Sequence, residues 1–299
     1  MERRLVPPAS LDESTFEQLI HQLGSLKRIP AGQIIIDLEQ VRFVDPYGMV
    51  GLLALGRFLR QQGREPVLML PRSEEVMKYL DRMDFSRHAE RLYAIDLTTL
   101  WPDGEYSRSL HSDVLLEITP IARSEDIHYI VDRVRERAQT ILSQNLHYAQ
   151  AAIDSFVVAL SEVCQNIPEH SEDAGYVAIQ KYFYGRRLGK NLVKIAVMDL
   201  GVGFRASLAP KYGAQSADWS DLKALRLALF EGASRYDDPG RGQGLSAVRR
   251  FVERWQGKLM IRSGSARVQL SPPWNRHAPR QTKLTSFPGT QVSIVLPEL

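Results

Sequence analysis

Glu162 and Asn166 stand four residues apart in the stretch Ser161-Glu162-Val163-Cys164-Gln165-Asn166-Ile167. On a helix that spacing puts both side chains on one side, a turn apart. A carboxylate there can orient and deprotonate a hydroxyl or a water. A carboxamide oxygen can take one position on Mg2+, which prefers oxygen ligands and keeps much of its water. Taken alone, such a pair is usually a solvated helix face. Three further motifs follow it in the chain. Asp199-Leu200-Gly201-Val202-Gly203 closes an apolar run, where glycines let the backbone approach a flat ligand and a carboxylate can accept from an exocyclic amine. Gly240-Arg241-Gly242-Gln243-Gly244-Leu245 opens a helix, whose unpaired amides and positive dipole end suit phosphate oxygens, with Arg241 as an added cation. Pro288-Gly289-Thr290 sets a hydroxyl at the head of a last apolar run. Each motif alone is weak. In this order they describe a pocket for ATP and Mg2+.

The elements that must position these residues are readable from periodicity. Tyr148 to Ile167 is predicted as a helix with Phe156, Leu160, Val163 and Ile167 on one stripe, and Pro168 should kink or end it. Cys164 falls on the other side from Glu162 and Asn166, toward a core, and His170 reads as packed or solvated rather than catalytic. Tyr176–Tyr184 and Leu192–Asp199 form a predicted hairpin. Its turn, Gly185 to Lys190, superficially resembles a phosphate-binding loop, but the glycine spacing is too short and Asn191 stands where a hydroxyl is needed. Helices are expected over Asp221–Gly232 and Leu245–Trp255, strands over Lys258–Arg262 and Gln291–Leu296, and an inserted loop over Ser271–Phe287. Upstream, Leu115–Ile118 reads as a strand and Ser124 as the cap of a helix running to about Ser143.

The first hundred residues alternate differently. A helix is predicted over 11–26, a buried strand over Gln33–Leu38, and a helix opened by Asp45 as cap with Pro46 at its first position and continuing to Arg60. Gly63, a strand over Pro66–Leu70, a helix over Ser73–Met83 and a strand over Leu92–Leu97 follow. Thr98 to Ser112 holds turn formers without periodicity and reads as a linker.

The four motifs make residues 114–299 resemble the GHKL ATP-binding family, the Bergerat fold of histidine kinases, gyrase-type ATPases and heat-shock chaperone ATPases. The match looks closest to the anti-sigma-factor serine kinases. The resemblance implies Glu162 as catalytic base, Asn166 as Mg2+ ligand, and Asp199 as adenine anchor flanked by Gly201 and Gly203. It also implies Gly240, Arg241, Gly242, Gly244 and Leu245 as the phosphate lid, and Thr290 as a support for Asp199. Ile34-Ile35-Ile36-Asp37-Leu38, then Val44-Asp45-Pro46-Tyr47-Gly48 opening a helix, then Gly63, make residues 1–100 resemble the STAS family, the anti-sigma-factor antagonist fold. Where partner-switching members carry a phosphoaccepting serine, this chain has Pro46. Tyr47 is the adjacent hydroxyl and a poor substitute. The expected fold class is therefore α/β with two domains: a STAS-like sheet over 1–100, a linker over 101–113, and a GHKL sandwich over 114–299.

Composition narrows the function classes. The 299 residues carry 38 basic and 35 acidic side chains, and a formal charge of +3 is no nucleic-acid footprint. A single cysteine excludes an intrachain disulfide and suits a reducing cytosol. No apolar run has the length of a membrane span, and Met1-Glu2-Arg3-Arg4 leads into no secretory signal, so a cytoplasmic protein is expected. Two functions compete. One is a serine-kinase-like regulator acting on a separate protein, of STAS or sigma-factor type. The other is an ATP-gated binding switch with little or no phosphotransfer. A GHKL ATPase is the third and weaker reading. An intact Glu162 tips the balance to the kinase, and the resemblance leaves a homodimer open. His128 lacks the surroundings of a histidine-kinase phosphoacceptor.

Overall fold

The computed structural model of the chain describes residues 2–24, 32–96, 114–170, 174–184, 189–214, 216–235, 243–275 and 281–298. The predicted linker lies entirely outside these residues. The fold is mixed α/β.

The N-terminal part holds β1 (Arg3–Leu5), β2 (Ser10–Leu11), α1 (Phe16–Leu23), β3 (Ile34–Asp37), β4 (Phe43–Val44), α2 (Pro46–Gln61), β5 (Val67–Met69), α3 (Glu74–Arg82) and α4 (Phe85–Ala89). Strands β1, β3 and β5 pair in that order as a parallel sheet, and β2 pairs parallel with β4. Parallel neighbours need crossover connections, and α2 supplies one between β3 and β5. The Asp45 carboxylate caps α2 by accepting from the Gly48 amide at 2.8 Å, as its sequence predicts. Helix α1 is shorter than predicted. The Asp12 carboxylate takes the amides of Ser14 and Thr15, holding residues 12–15 in a turn that delays the helix to Phe16. The expected strand at Leu92–Leu97 reduces, among the described residues, to one bridge between Ala94 and Val67.

The C-terminal part comprises β6 (Val114–Ile121), α5 (Ser124–Leu146), α6 (Gln150–His170), β7 (Gly175–Tyr184), β8 (Lys190–Met198), α7 (Gly203–Leu208), α8 (Asp221–Arg226), α9 (Gln243–Arg254), β9 (Lys258–Leu270) and β10 (Gln281–Pro297). Ser124 is the first residue of α5 rather than its cap. Asp126 reaches back to accept from the amides of Ala122 and Arg123. The five strands form an antiparallel sheet in the order β6-β7-β8-β10-β9. The last part of the stretch expected as an inserted loop, Gln281 to Phe287, instead belongs to β10 and extends the β9–β10 hairpin, with Arg267 opposite Gln281 and Ala266 opposite Thr282. Residues 276–280, within that stretch, lie outside the described set.

Strand alternation gives the sheet two unlike faces. Val177, Ile179, Val193, Ile195, Val197, Ile261, Val292 and Ile294 point to one side, where α5, α6, α8 and α9 bury them. Tyr176, Ala178, Ala196, Met198 and Met260 point to the other, where the N-terminal part covers them. Helix α2 lies on β7 and β8, and α1 on β10. This explains the composition of α2. From Pro46 to Gly56 its sequence is apolar on every side, the signature of a helix buried all round, and Arg57, Arg60 and Gln61 follow only toward its end.

The covered face also carries cations. Lys194 meets Asp45 at 2.9 Å and Glu13 at 3.7 Å, Lys258 meets Glu13 at 2.6 Å, and Arg262 meets Glu17 at 2.6 Å. The bases come from β8 and β9 and the acids from the N-terminal part. Burial pushes the Glu13 carboxyl up, but Lys194 and Lys258 pull it further the other way, to about 2. Burial raises Asp45 to about 6 against the pull of Lys194. Burial opposes the Lys194 ammonium, yet Asp45 and Glu13 leave its pKa raised overall. A buried pair is costly to break, because one charge remains without compensation.

Lys194→Met should therefore lower unfolding stability by about 3–5 kcal/mol in chemical denaturation. The pH dependence has a definite sign. Glu13 has a folded pKa below its ordinary 4.5, so its contribution is complete above that pH and disappears as pH falls toward 2. The stability gap between wild type and Glu13→Gln, followed by urea melts across this window, should shrink toward low pH.

Candidate functional site

Helix α6 sets Phe156, Leu160, Val163, Cys164 and Ile167 into the core, which leaves Glu162 exposed on the opposite side. It passes through Pro168 and ends at His170, slightly beyond the predicted stop. Burial pushes the Cys164 thiol up to about 12, so this cysteine is a packing residue. The Asn166 carboxamide donates through Nδ2 to the Glu162 carbonyl at 2.9 Å, which leaves its oxygen as the atom able to face a cation.

Strand β8 delivers Asp199 to the edge of the same cavity. Its Oδ1 accepts from the Gly201 amide at 2.7 Å, and its own amide donates to the Thr290 carbonyl at 3.0 Å. Gly289 packs directly on it with φ +73°. A Cβ at that position would fall 2.1 Å from the Asp199 carbonyl oxygen and 2.7 Å from Oδ1. Gly203, at φ +70°, likewise approaches Ser263 Oγ and the Gly289 carbonyl. Ser263 Oγ joins the two loops, donating to the Gly289 carbonyl and accepting from the Phe204 amide, each at 3.1 Å. At Gly203 and Gly289 the lack of a side chain thus serves close packing between motifs, whereas for Gly203 the sequence suggested approach to a ligand.

The resulting cavity encloses about 210 Å³. Glu162, Asn166, Asp199, Gly203, Gly244, Leu245 and Thr290 line it, so seven of the expected site residues converge. Gly201 lies behind it, on a neighbouring cavity of about 580 Å³. Gly240, Arg241 and Gly242 lie outside the described residues. Gly244, near the start of α9, sits against Glu162, where an added Cβ would come within 2.7 Å of Oε2. The N-terminal end of α9, the end of a helix whose free amides can face an anion, is thereby held beside the carboxylate.

The walls include residues the motifs did not reveal: Val197, Phe204, Leu208, Ala228, Val292, Ser234 and Arg235. Val197 was within reach, since it precedes Asp199 by two on the same strand. Ala228 was not. It lies in a π-helical turn, Leu227–Glu231, that continues α8. Such turns recur at functional sites and leave no periodic signal. The site therefore combines an apolar slot ending in a carboxylate with a polar mouth bearing a second carboxylate, a carboxamide and a helix N-terminus. Such a set of groups can take a ligand that is flat and apolar at one end and anionic at the other.

Residues 152–299 match the family described as histidine kinase-, DNA gyrase B-, and HSP90-like ATPase. This part of the chain is a domain of that GHKL family, which binds ATP, typically with Mg2+. No curated protein matches the chain. Among the described residues, no cluster of three or more His, Cys, Asp or Glu could hold a metal, and no helix is long and apolar enough to cross a membrane. A one-carboxamide site still fits Mg2+, because nucleotide phosphates and water would supply the remaining oxygens.

Gly289→Ala tests the packing of the pocket wall. A methyl group there must displace Asp199, so ATP affinity measured by calorimetry should fall at least tenfold.

Proposed function

We propose that the chain is an ATP- and Mg2+-dependent regulatory kinase of the anti-sigma-factor serine type, acting on a separate protein. The observation that carries this reading is the placement of Glu162. It is exposed at the mouth of the cavity, beside Asn166 and the start of α9, where an acceptor hydroxyl can approach from solvent. In this reading Glu162 takes the hydroxyl proton as the oxygen bonds to the terminal phosphorus and the bond to ADP breaks. Asp199 accepts from the adenine amine, Thr290 supports Asp199, and the segment from Gly240 to Leu245 closes over the phosphates. Magnesium on the Asn166 oxygen supplies charge neutralisation when bound.

Residues 1–100 are taken as a STAS-like domain that does not serve as the acceptor. Pro46 has no hydroxyl, and the Tyr47 phenol is 2% exposed, packed edge-on against Phe16 on the sheet face opposite the cavity. Transfer within the chain to this turn would require the two parts to separate. The acceptor is therefore a partner protein of STAS or sigma-factor type.

A second reading, an ATP-gated binding switch, draws support from one contact. Phe287, which precedes the Pro288-Gly289-Thr290 motif, packs on Phe58 at 5.6 Å and Phe16 at 6.2 Å, both from the N-terminal part. A GHKL ATPase that spends phosphate on water is the remaining alternative.

The two leading readings separate on one substitution. Under the kinase reading, Glu162→Gln lowers the rate of transfer from labelled ATP to a protein acceptor by about 10²–10⁴-fold, with ATP affinity kept within threefold. Asp199→Asn should abolish nucleotide retention under either reading. Unchanged partner regulation in Glu162→Gln would favour the switch.

A further inference from the structure

The adenine anchor is held from the far side of the sheet. Arg262 is completely buried on β9, on the face that the N-terminal part covers. Its Nε donates to Glu17 of α1 at 2.6 Å. Its Nη1 donates to the Gly264 carbonyl at 3.0 Å and to Gln291 Oε1 at 3.2 Å, with a longer contact to the Phe287 carbonyl, and Nη2 donates to the Thr285 carbonyl. Gln291, also completely buried, then uses Nε2 to donate to the Pro288 carbonyl at 2.8 Å and the Asp199 carbonyl at 3.4 Å. One guanidinium thus gathers the irregular stretch of the β9–β10 pairing, and one carboxamide passes the order on to Asp199.

We infer that Arg262 and Gln291 are positioning residues for nucleotide recognition, oriented by Glu17, so that the N-terminal part sets how selectively the site reads the base. The inference rests on Asp199 as the base anchor. A planar guanidinium with five donors in a fixed fork is suited to this task, and a lysine could not reach the same acceptors. Both side chains are fully buried, so losing one hydrogen bond leaves an unsatisfied polar group and shifts its neighbours. The effect falls on geometry at Asp199 rather than on any direct contact with ligand. Base discrimination is the sensitive readout, because a carboxylate that accepts from the amine of adenine meets a carbonyl at the same position of guanine.

The test measures dissociation constants of the full chain for ATP and for GTP by calorimetry, with thermal melts of each variant. Gln291→Glu keeps an acceptor for Arg262 and removes both donors to the Asp199 and Pro288 carbonyls. Glu17→Gln removes the charge that orients Arg262. If Glu17→Gln does not fold, Glu17→Asp, which keeps the charge and shortens the reach, replaces it. Each folded variant should narrow the preference for ATP over GTP at least fivefold. Glu13→Gln breaks a different ion pair of the same interface and should leave that preference within twofold of wild type. A preference unchanged in Gln291→Glu overturns the positioning role. An equal loss in Glu13→Gln overturns the specific path in favour of a general effect of docking. A wild type that binds ATP without preferring it over GTP overturns Asp199 as anchor and the relay with it. A wild type that binds neither nucleotide overturns the ATP site itself.

Discussion

The arrangement of this molecule depends on charge buried between its two parts. The outer face of the five-stranded sheet presents Lys194, Lys258 and Arg262, and the N-terminal part answers with Glu13, Asp45 and Glu17. Such groups are tolerated away from water only when paired, so this face and its cover require each other. Apolar packing supplies area, through α2 and the aromatic contacts of Phe16 and Phe58 with Phe287. The ion pairs supply register, since each cation meets its acid in only one placement of α1 and α2 on the sheet.

That placement gives the Asp45–Pro46 turn an unexpected use. Here Asp45 both caps α2 and pairs with Lys194, while Tyr47 is packed out of reach. The turn thereby fastens the N-terminal part to the rear of the ATP-binding sheet. The same surface backs the wall that holds Asp199, because Arg262 and Gln291 reach from the interface to the Pro288–Gly289 segment.

Much of the site was legible in the sequence because each motif is local. The spacing of Glu162 and Asn166, the strand ending at Asp199 and Gly244 near the start of α9 all report within a few residues, and Asp45-Pro46 announced its own cap. The rest depended on distant partners. Glu13 and Lys258 are 245 residues apart in the chain, and no pattern links them. Lys194 reads as an ordinary charge on a strand until its face is known to be covered. One signal was available and unread: α2 has no polar side from Pro46 to Gly56, which a helix lying on a single sheet would have. The outer extension of the β9–β10 hairpin was missed because the prolines and turn formers after Leu270 outweighed the weak alternation on either side. The π-helical turn bearing Ala228 has no sequence signature.

Native-state hydrogen exchange tests the central claim most directly, because it reports the opening free energy of each amide. If the buried charges join the two parts into one cooperative unit, the amides at the centre of α2 and those of β8 and β10 open together. Lys194→Met should then lower the protection of both sets by the same amount. Loss of protection in α2 while the sheet keeps its own would contradict the account, and would leave the N-terminal part as an independently folding neighbour.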